Sequence, residues 1–158
     1  MLIGEFHLTV KKNKCQLMKK SKEQLLEICN NISKNTLMET LQIEYVDIGE
    51  DFLTAKMPVN PRVHQPDGVL HGGATVALAE SVGSAAAFIF LNAEEITVRG
   101  IEISANHVKS IREGFVFATA KLIHKGRTIQ LWHIPVTNDS GQLISDCKLT
   151  TIAIPKNP

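Results

Sequence analysis

The sequence predicts an α+β domain: an antiparallel sheet of about six strands, one face covered by a single long helix, with a short helix ahead of it. Three observations carry this. Val69–Leu91 (VLHGGATVALAESVGSAAAFIFL) is almost wholly small or apolar and contains no proline. On both sides of it, apolar and polar residues alternate with a period of two. The elements then follow as helix, two strands, helix, four strands, with no internal repeat and no low-complexity segment. A chain of 158 residues has room for one domain with a modest core.

Residues 1–20 are expected to form an N-terminal tail. MLIGEFHLTV could make a short strand, but KKNKCQLMKK is basic and patternless. The working domain is expected over residues 21–158. Ser21 suits the N-cap of SKEQLLEICNNI, whose apolar face is Leu25, Leu26, Ile28, Cys29 and Ile32, and Asn30-Asn31 should end that helix near Ser33. From Thr40 the period changes to two. LQIEYVDI turns at Gly49-Glu50-Asp51 into FLTAKMPV, a hairpin closed by Pro58. The turn-rich loop NPRVHQPDG leads into the long helix, which should open at Gly72-Gly73 and end near Leu91. Four strands follow Asn92–Glu95. ITVRGIEISANHVKS should reach Ser110 and turn at Arg112-Glu113-Gly114, and FVFATAKLIH should turn at Lys125-Gly126. TIQLWHIPVTN and QLISDCKLTTIAI should pair across Asn138–Gly141. The short first helix cannot cover the sheet's edges and second face, which predicts self-association.

Composition removes several functions. A net charge of +1, with basic residues scattered beyond the N-terminus, gives no electrostatic case for nucleic acid, and eight aromatic residues make a poor base-stacking platform. Three cysteines without CxxC spacing suggest neither a disulfide framework nor zinc, and point to a reducing compartment. No secretory signal is visible, so the cytoplasm is the expected location. The six histidines show no HExxH or HxH spacing, and no metal is expected. There is no GxxxxGK[ST] loop, no GxGxxG and no GxSxG to accompany the HGG.

The anomaly is Glu80. A helix apolar all round is expected to be buried on most sides, and one carboxylate stands in its middle with Ser84 one turn later. A charge there costs stability unless it is paired, protonated or facing a cavity. A membrane span and a structural Glu–Arg pair are the competing readings. Charge is expensive inside a membrane, and the flanking globular patterns oppose a span. Polar groups gather upstream: His64, Gln65, Asp67, His71 and the Gly72 and Gly73 amides. A helix N-terminus supplies unpaired N–H groups for a carbonyl oxygen becoming an oxyanion. A carboxylate in apolar surroundings can act as base or nucleophile. On one helix, His71 and Glu80 lie about 13 Å apart at 1.5 Å per residue. They cannot serve one carbonyl from one chain, but two copies sharing a site could bring them together.

HQPDGVLHGGATVALAESVGSAAA, with GIEISANHVKSIREG and IHKGRTIQLWHI, resembles the hotdog-fold acyl-CoA thioesterases. The likeness is to the branch of Arthrobacter-type 4-hydroxybenzoyl-CoA thioesterases and 1,4-dihydroxy-2-naphthoyl-CoA thioesterases, and spans roughly Leu41 to Ile154. It implies a six-stranded sheet wrapped around the central helix, and a homo-oligomer, a dimer with shared sites paired into a dimer of dimers. The substrate would be an acyl-CoA, with no cofactor. Glu80 would be the catalytic carboxylate and the Gly72 amide of the opposite subunit would polarise the thioester carbonyl. Gln65 and His71 would assist, and Ser84 would hold the hydrolytic water. Asn106, His107, Lys109, Ser110 and Arg112 would meet the CoA nucleotide, Lys109 standing where an arginine is more usual. The helix wall of Val76, Val82, Ala85 and Ala86 would face the acyl group. His64, His124 and His133 read as surface or structural, and Asp67 as a turn residue. A hydroxyacyl-thioester dehydratase and a non-catalytic acyl-CoA-binding module are the alternatives.

Overall fold

A computed structural model describes residues 20–91 and 96–156. The expected tail, with Cys15, lies outside the described residues apart from Lys20.

Helix α1 (Lys22–Ile32) starts on a reciprocal cap: Ser21 Oγ accepts the Gln24 N–H at 3.3 Å, and Gln24 Oε1 accepts the Ser21 N–H at 3.0 Å. Asn30, which weakens the helix on propensity, is held by the first strand. Its amide donates to the Tyr45 carbonyl at 3.0 Å and accepts the Tyr45 N–H at 2.8 Å. A one-turn helix α2 (Leu37–Thr40), capped by Thr36, ends in a turn at Leu41-Gln42 that takes the place of the expected start of the first strand. The alternation beginning at Leu41 therefore becomes regular strand only at β1 (Glu44–Ile48). β2 (Phe52–Val59) includes Pro58, opposite Phe115. A 3-10 turn (Pro61–Val63) then leads through the loop to α3 (Gly72–Phe90). β3 (Ile96–His107) stops three residues before the expected Ser110. β4 (Gly114–Lys125), β5 (Ile129–Asn138) and β6 (Leu143–Pro155) follow as expected, with Gly114 (φ 89°) and Gly141 (φ 77°) in the left-handed conformation their turns require.

These strands form one antiparallel six-stranded sheet in the order β1-β2-β4-β5-β6-β3. β3 follows α3 in the chain, yet lies at the far edge beside the last strand. Leu78, Ala79, Val82, Ala86 and Ala87 of α3 are fully buried against the sheet. Gly83 lets the helix descend close to it: a Cβ there would stand 2.5 Å from Leu149 Cδ2 and 2.8 Å from Ile134 Cδ1. Beneath, a buried polar chain is satisfied end to end. Trp132 Nε1 donates to Thr151 Oγ1 at 3.1 Å, Thr151 to Gln130 Oε1 at 3.0 Å, and Gln130 Nε2 to the Gly126 carbonyl at 3.2 Å. At 19 residues with a mean hydropathy of 1.5, α3 is long and apolar enough for a membrane. Here it is the core helix of a folded sheet.

The burial of α3 corrects the sequence expectation in one respect. The helix is not enclosed on most sides. Gly73, Glu80 and Phe88 are exposed and Val76, Ala77, Ser81 and Ser84 half-buried, a stripe at helical spacing that the single chain leaves open. Glu80 is thus not a buried charge within one chain.

Candidate active site

Gln65 and Gly72 line one groove and Glu80 and Ser84 another, while His64, Asp67 and His71 line neither. The first, about 310 Å³, lies at the N-terminus of α3 and is lined by Gln65, Gly72, Thr75, His107, Lys109 and Ser110, with Val69, Leu70, Val108 and Ile144 as apolar walls. The loop forming it is pinned to the strand connection. His71 N–H donates to the Val63 carbonyl and Leu70 N–H to the Ile111 carbonyl, both at 2.8 Å. Gly68 turns at φ 76°, and Arg112 Nη1 donates to the Asp67 and Gly68 carbonyls at 3.2 and 3.1 Å. His64 Nε2 meets the Arg112 carbonyl at 2.9 Å. His64, Asp67 and part of Arg112 thus hold the loop's shape.

His71 is the N-cap of α3, its Nδ1 accepting the Gly73 N–H at 2.8 Å. Of the two glycine amides, Gly73's is therefore engaged. Gly72's is the first of the helix and has no intrahelical partner by α-helix geometry. The His107 ring packs against the Gly72 Cα: a Cβ on Gly72 would come within 2.7 Å of His107 Nε2. His107 therefore belongs with the helix N-terminus as much as with the outer residues. Asn106 is not among the groove residues. Its carbonyl accepts the Ser145 hydroxyl at 3.2 Å, within the β3–β6 ladder.

The second groove, about 770 Å³, runs along the open face of α3. Glu80, Ser81, Ser84, Ala85 and Phe88 form one side; Ile96, Val98 and Arg99 of β3 and Ile32, Leu37 and Met38 of the α1–α2 segment form the rest. Ile32, Leu37 and Phe88 are 53%, 57% and 39% exposed at its rim. Tyr45 also lines this groove, its hydroxyl donating to the Ser81 carbonyl at 3.2 Å; burial pushes its pKa well above the usual phenol range. Val82 and Ala86, expected on the acyl-facing wall, are fully buried toward the sheet; Ala85 does line the groove. No sequence signal marked Ile32, Leu37 or Met38 as groove residues, because only tertiary packing brings the α1–α2 segment to the helix, whereas Phe88 follows Glu80 and Ser84 at helical spacing and could have been found.

Glu80 and Gly72 therefore occupy separate grooves of one chain, as their spacing along the helix requires. Among the described residues, no three His, Cys, Asp or Glu side chains gather as a metal cluster.

Residues 67–145 match the thioesterase superfamily. The 1,4-dihydroxy-2-naphthoyl-CoA hydrolase of Escherichia coli is 44% identical over 80% of this chain and 92% of its own length. The proofreading thioesterase EntH of Cronobacter turicensis is 42% identical over 80% and 91%. A crystal structure of a thioesterase from Pseudomonas aeruginosa superposes with a TM-score of 0.81 at 40% identity, covering 83% of this chain and 94% of that one. One from Haemophilus influenzae gives 0.80 at 43% identity, covering 82% and 90%. By sheet order, central helix and sequence alike, the chain belongs to the hotdog-fold thioesterase superfamily and is a hydrolase of acyl thioesters.

Proposed function

We propose that the chain hydrolyses acyl-CoA thioesters carrying an aromatic acyl group, such as a hydroxynaphthoyl or benzoyl group, in a site shared by two copies. The observation that carries this reading is the division of one reaction's parts between two grooves on a single helix. The unpaired first amide of the helix is at Gly72 and a carboxylate at Glu80, with about 12 Å of helix between them, which suits a carbonyl-polarising donor and a base or nucleophile supplied by different copies. Neither groove is complete alone.

The edge strand supplies a way to join them. β3 is a 12-residue edge with Ile101 53% exposed, and a long edge of this kind invites pairing with another chain. Its Ile96 end adjoins Glu80's groove and its His107 end adjoins Gly72's. Two copies of β3 paired antiparallel about the strand centre would set the His107 end of one beside the Ile96 end of the other. Each Glu80 would then face the Gly72 amide of the second copy.

In that site the Gly72 N–H, with Gln65 and His71 beside it, stabilises the oxyanion as the thioester carbonyl becomes tetrahedral. Glu80 either adds to the carbonyl carbon or removes a proton from the attacking water, with Ser84 holding that water. Where Glu80 adds, the C–S bond breaks to leave an acyl–Glu80 anhydride that the water then cleaves; where water adds, the C–S bond breaks directly. In both, the departing thiolate takes up a proton, and the products are the free acid and CoA thiol. His107, Lys109 and Ser110 meet the nucleotide end, while Ala85, Phe88 and the α1–α2 rim receive the acyl group. The chemistry uses no metal or redox cofactor, and the enzyme acts in the cytoplasm. Two such dimers pair into a tetramer.

The test is thiol release from benzoyl-CoA, a hydroxynaphthoyl-CoA, and short and long fatty acyl-CoAs, with Glu80→Ala beside the wild type. The expected result is fastest release from the aryl substrates. Glu80→Ala should lose at least a hundredfold in kcat while CoA affinity stays within about twofold. Binding without release across the panel would replace hydrolysis by an acyl-CoA-binding role.

A further inference from the structure

β3 carries an irregularity beside Glu80 that the reaction as described does not use. Gly100 is opposite Thr151 and Glu102 opposite Thr150, so Ile101 is an extra residue, a β-bulge. At that bulge a Cβ on Gly100 would lie 3.0 Å from Glu80 Oε1, 3.9 Å from Glu80 Cδ and 3.5 Å from Leu149 Cδ1. Gly100 does not adopt the left-handed backbone conformation of Gly68, Gly114 and Gly141. Its lack of a side chain is therefore not required by the turn of the chain. The group that crowds the space of the missing methyl most closely is the carboxylate itself.

We propose that Gly100 is a positioning residue for Glu80. The bare Cα, set by the bulge, leaves a seat at the sheet edge in which the carboxylate rests. From there it reaches over the edge toward a second copy. A bulge beside a reacting group re-aims the local side chains, and the glycine gives the re-aimed carboxylate its room. An added methyl would displace Oε1 by tenths of an ångström. Leu149, 1% exposed, closes the alternative space on the inner side. Misplacing a reacting group by about 1 Å can cost roughly a hundredfold, so a smaller displacement should cost about tenfold.

This rests on Glu80 as the catalytic carboxylate, and the experiment separates the two ideas. Steady-state thioester hydrolysis is measured for Gly100→Ala and Gly100→Val, each alone and with Glu80→Asp, alongside Glu80→Ala and a thermal melt of every variant. Gly100→Ala is expected to lower kcat about tenfold and leave KM within twofold, and Gly100→Val to lower kcat further. In the Glu80→Asp background, whose carboxylate is one methylene shorter, Gly100→Ala should cost less than twofold. A Gly100 series with wild-type kcat would overturn the proposal, as would the same tenfold loss in the Glu80→Asp background. An active Glu80→Ala would instead remove the role of Glu80 on which it rests.

Discussion

Gly83→Ala sets two effects of opposite sign against each other in the helix that carries Glu80. An alanine in the middle of a helix is favoured over glycine by about 1 kcal/mol. Its methyl, however, would stand 2.5 Å from Leu149 Cδ2 and 2.8 Å from Ile134 Cδ1, against an optimum of about 3.5–4.0 Å between carbons. Both neighbours are closed in, at 1% and 0% exposure, so neither can swing aside into a void. Overpacking of this kind costs about 1–3 kcal/mol, and two contacts each short by about 1 Å belong at the upper end. The net expectation is a loss of about 2 kcal/mol. For a chain of this size that lowers Tm by about 4–8 °C, read by calorimetry, with a matching shift of the urea midpoint at unchanged slope. Leu149→Ala removes one clashing methyl, so the double variant should be more stable than the sum of the two single losses. An unchanged or raised Tm for Gly83→Ala would refute the argument that close approach outweighs propensity here.

The remaining expectations concern the site and the thiols. Lys109→Ala should raise KM for acyl-CoA about five- to tenfold and leave kcat nearly unchanged, since a phosphate contact binds ground and transition states alike; an unchanged KM would take Lys109 out of the nucleotide site. Mixed dimers of Glu80→Ala and His71→Ala chains should regain part of the activity each parent lacks. No recovery despite demonstrated subunit exchange would rule out a site shared between copies. Burial pushes the Cys29 thiol from 9.0 up to about 11 and raises that of Cys147, so a thiol reagent at pH 8 should count two more cysteines after denaturation than before. Because the folded Cys29 pKa is the higher one, its contribution is intact below pH 9 and fades as pH rises toward 11. Tm should fall over that window, and Cys29→Ala should flatten the fall.

Where each element's residues reported on their own environment, the sequence was readable. Period-two alternation located β4, β5 and β6, the Ser21 cap located α1, and the glycine pair opened α3. It misjudged what depends on partners distant in the chain. The one-turn α2 is too short to have a period. Helix α1 does end at Ser33 as Asn30-Asn31 suggested, but the two bonds of Asn30 to Tyr45 were not legible, since Tyr45 lies fifteen residues away. The anomaly of Glu80 was legible, but its physical form was not. The residue types say that a carboxylate interrupts an apolar helix, whereas only the packing says that this face of the helix is open. Likewise the spacing of His71 and Glu80 along the helix was legible, and Gly72, next to His71, lines a different groove from Glu80. Gly100's contact with Glu80 crosses twenty residues and a bulge, and nothing local announces it.

The placement of β3 also governs how the molecule is made. The strand beside Glu80 pairs only with the last strand, Ile96 with Pro155 and His107 with Ser145, so its ladder closes loops of about forty to sixty residues. Such non-local pairings form slowly because the chain entropy is lost before the contacts repay it. During synthesis, β1 and β2 can form their hairpin early, but β3 has no neighbour in the sheet until β6 emerges. Both grooves need β3 for a wall, so neither is complete until the C-terminal strand has left the ribosome. Until then the backbone groups of β3 have no ladder partner, and the incomplete chain carries an open strand that neighbouring chains can pair with.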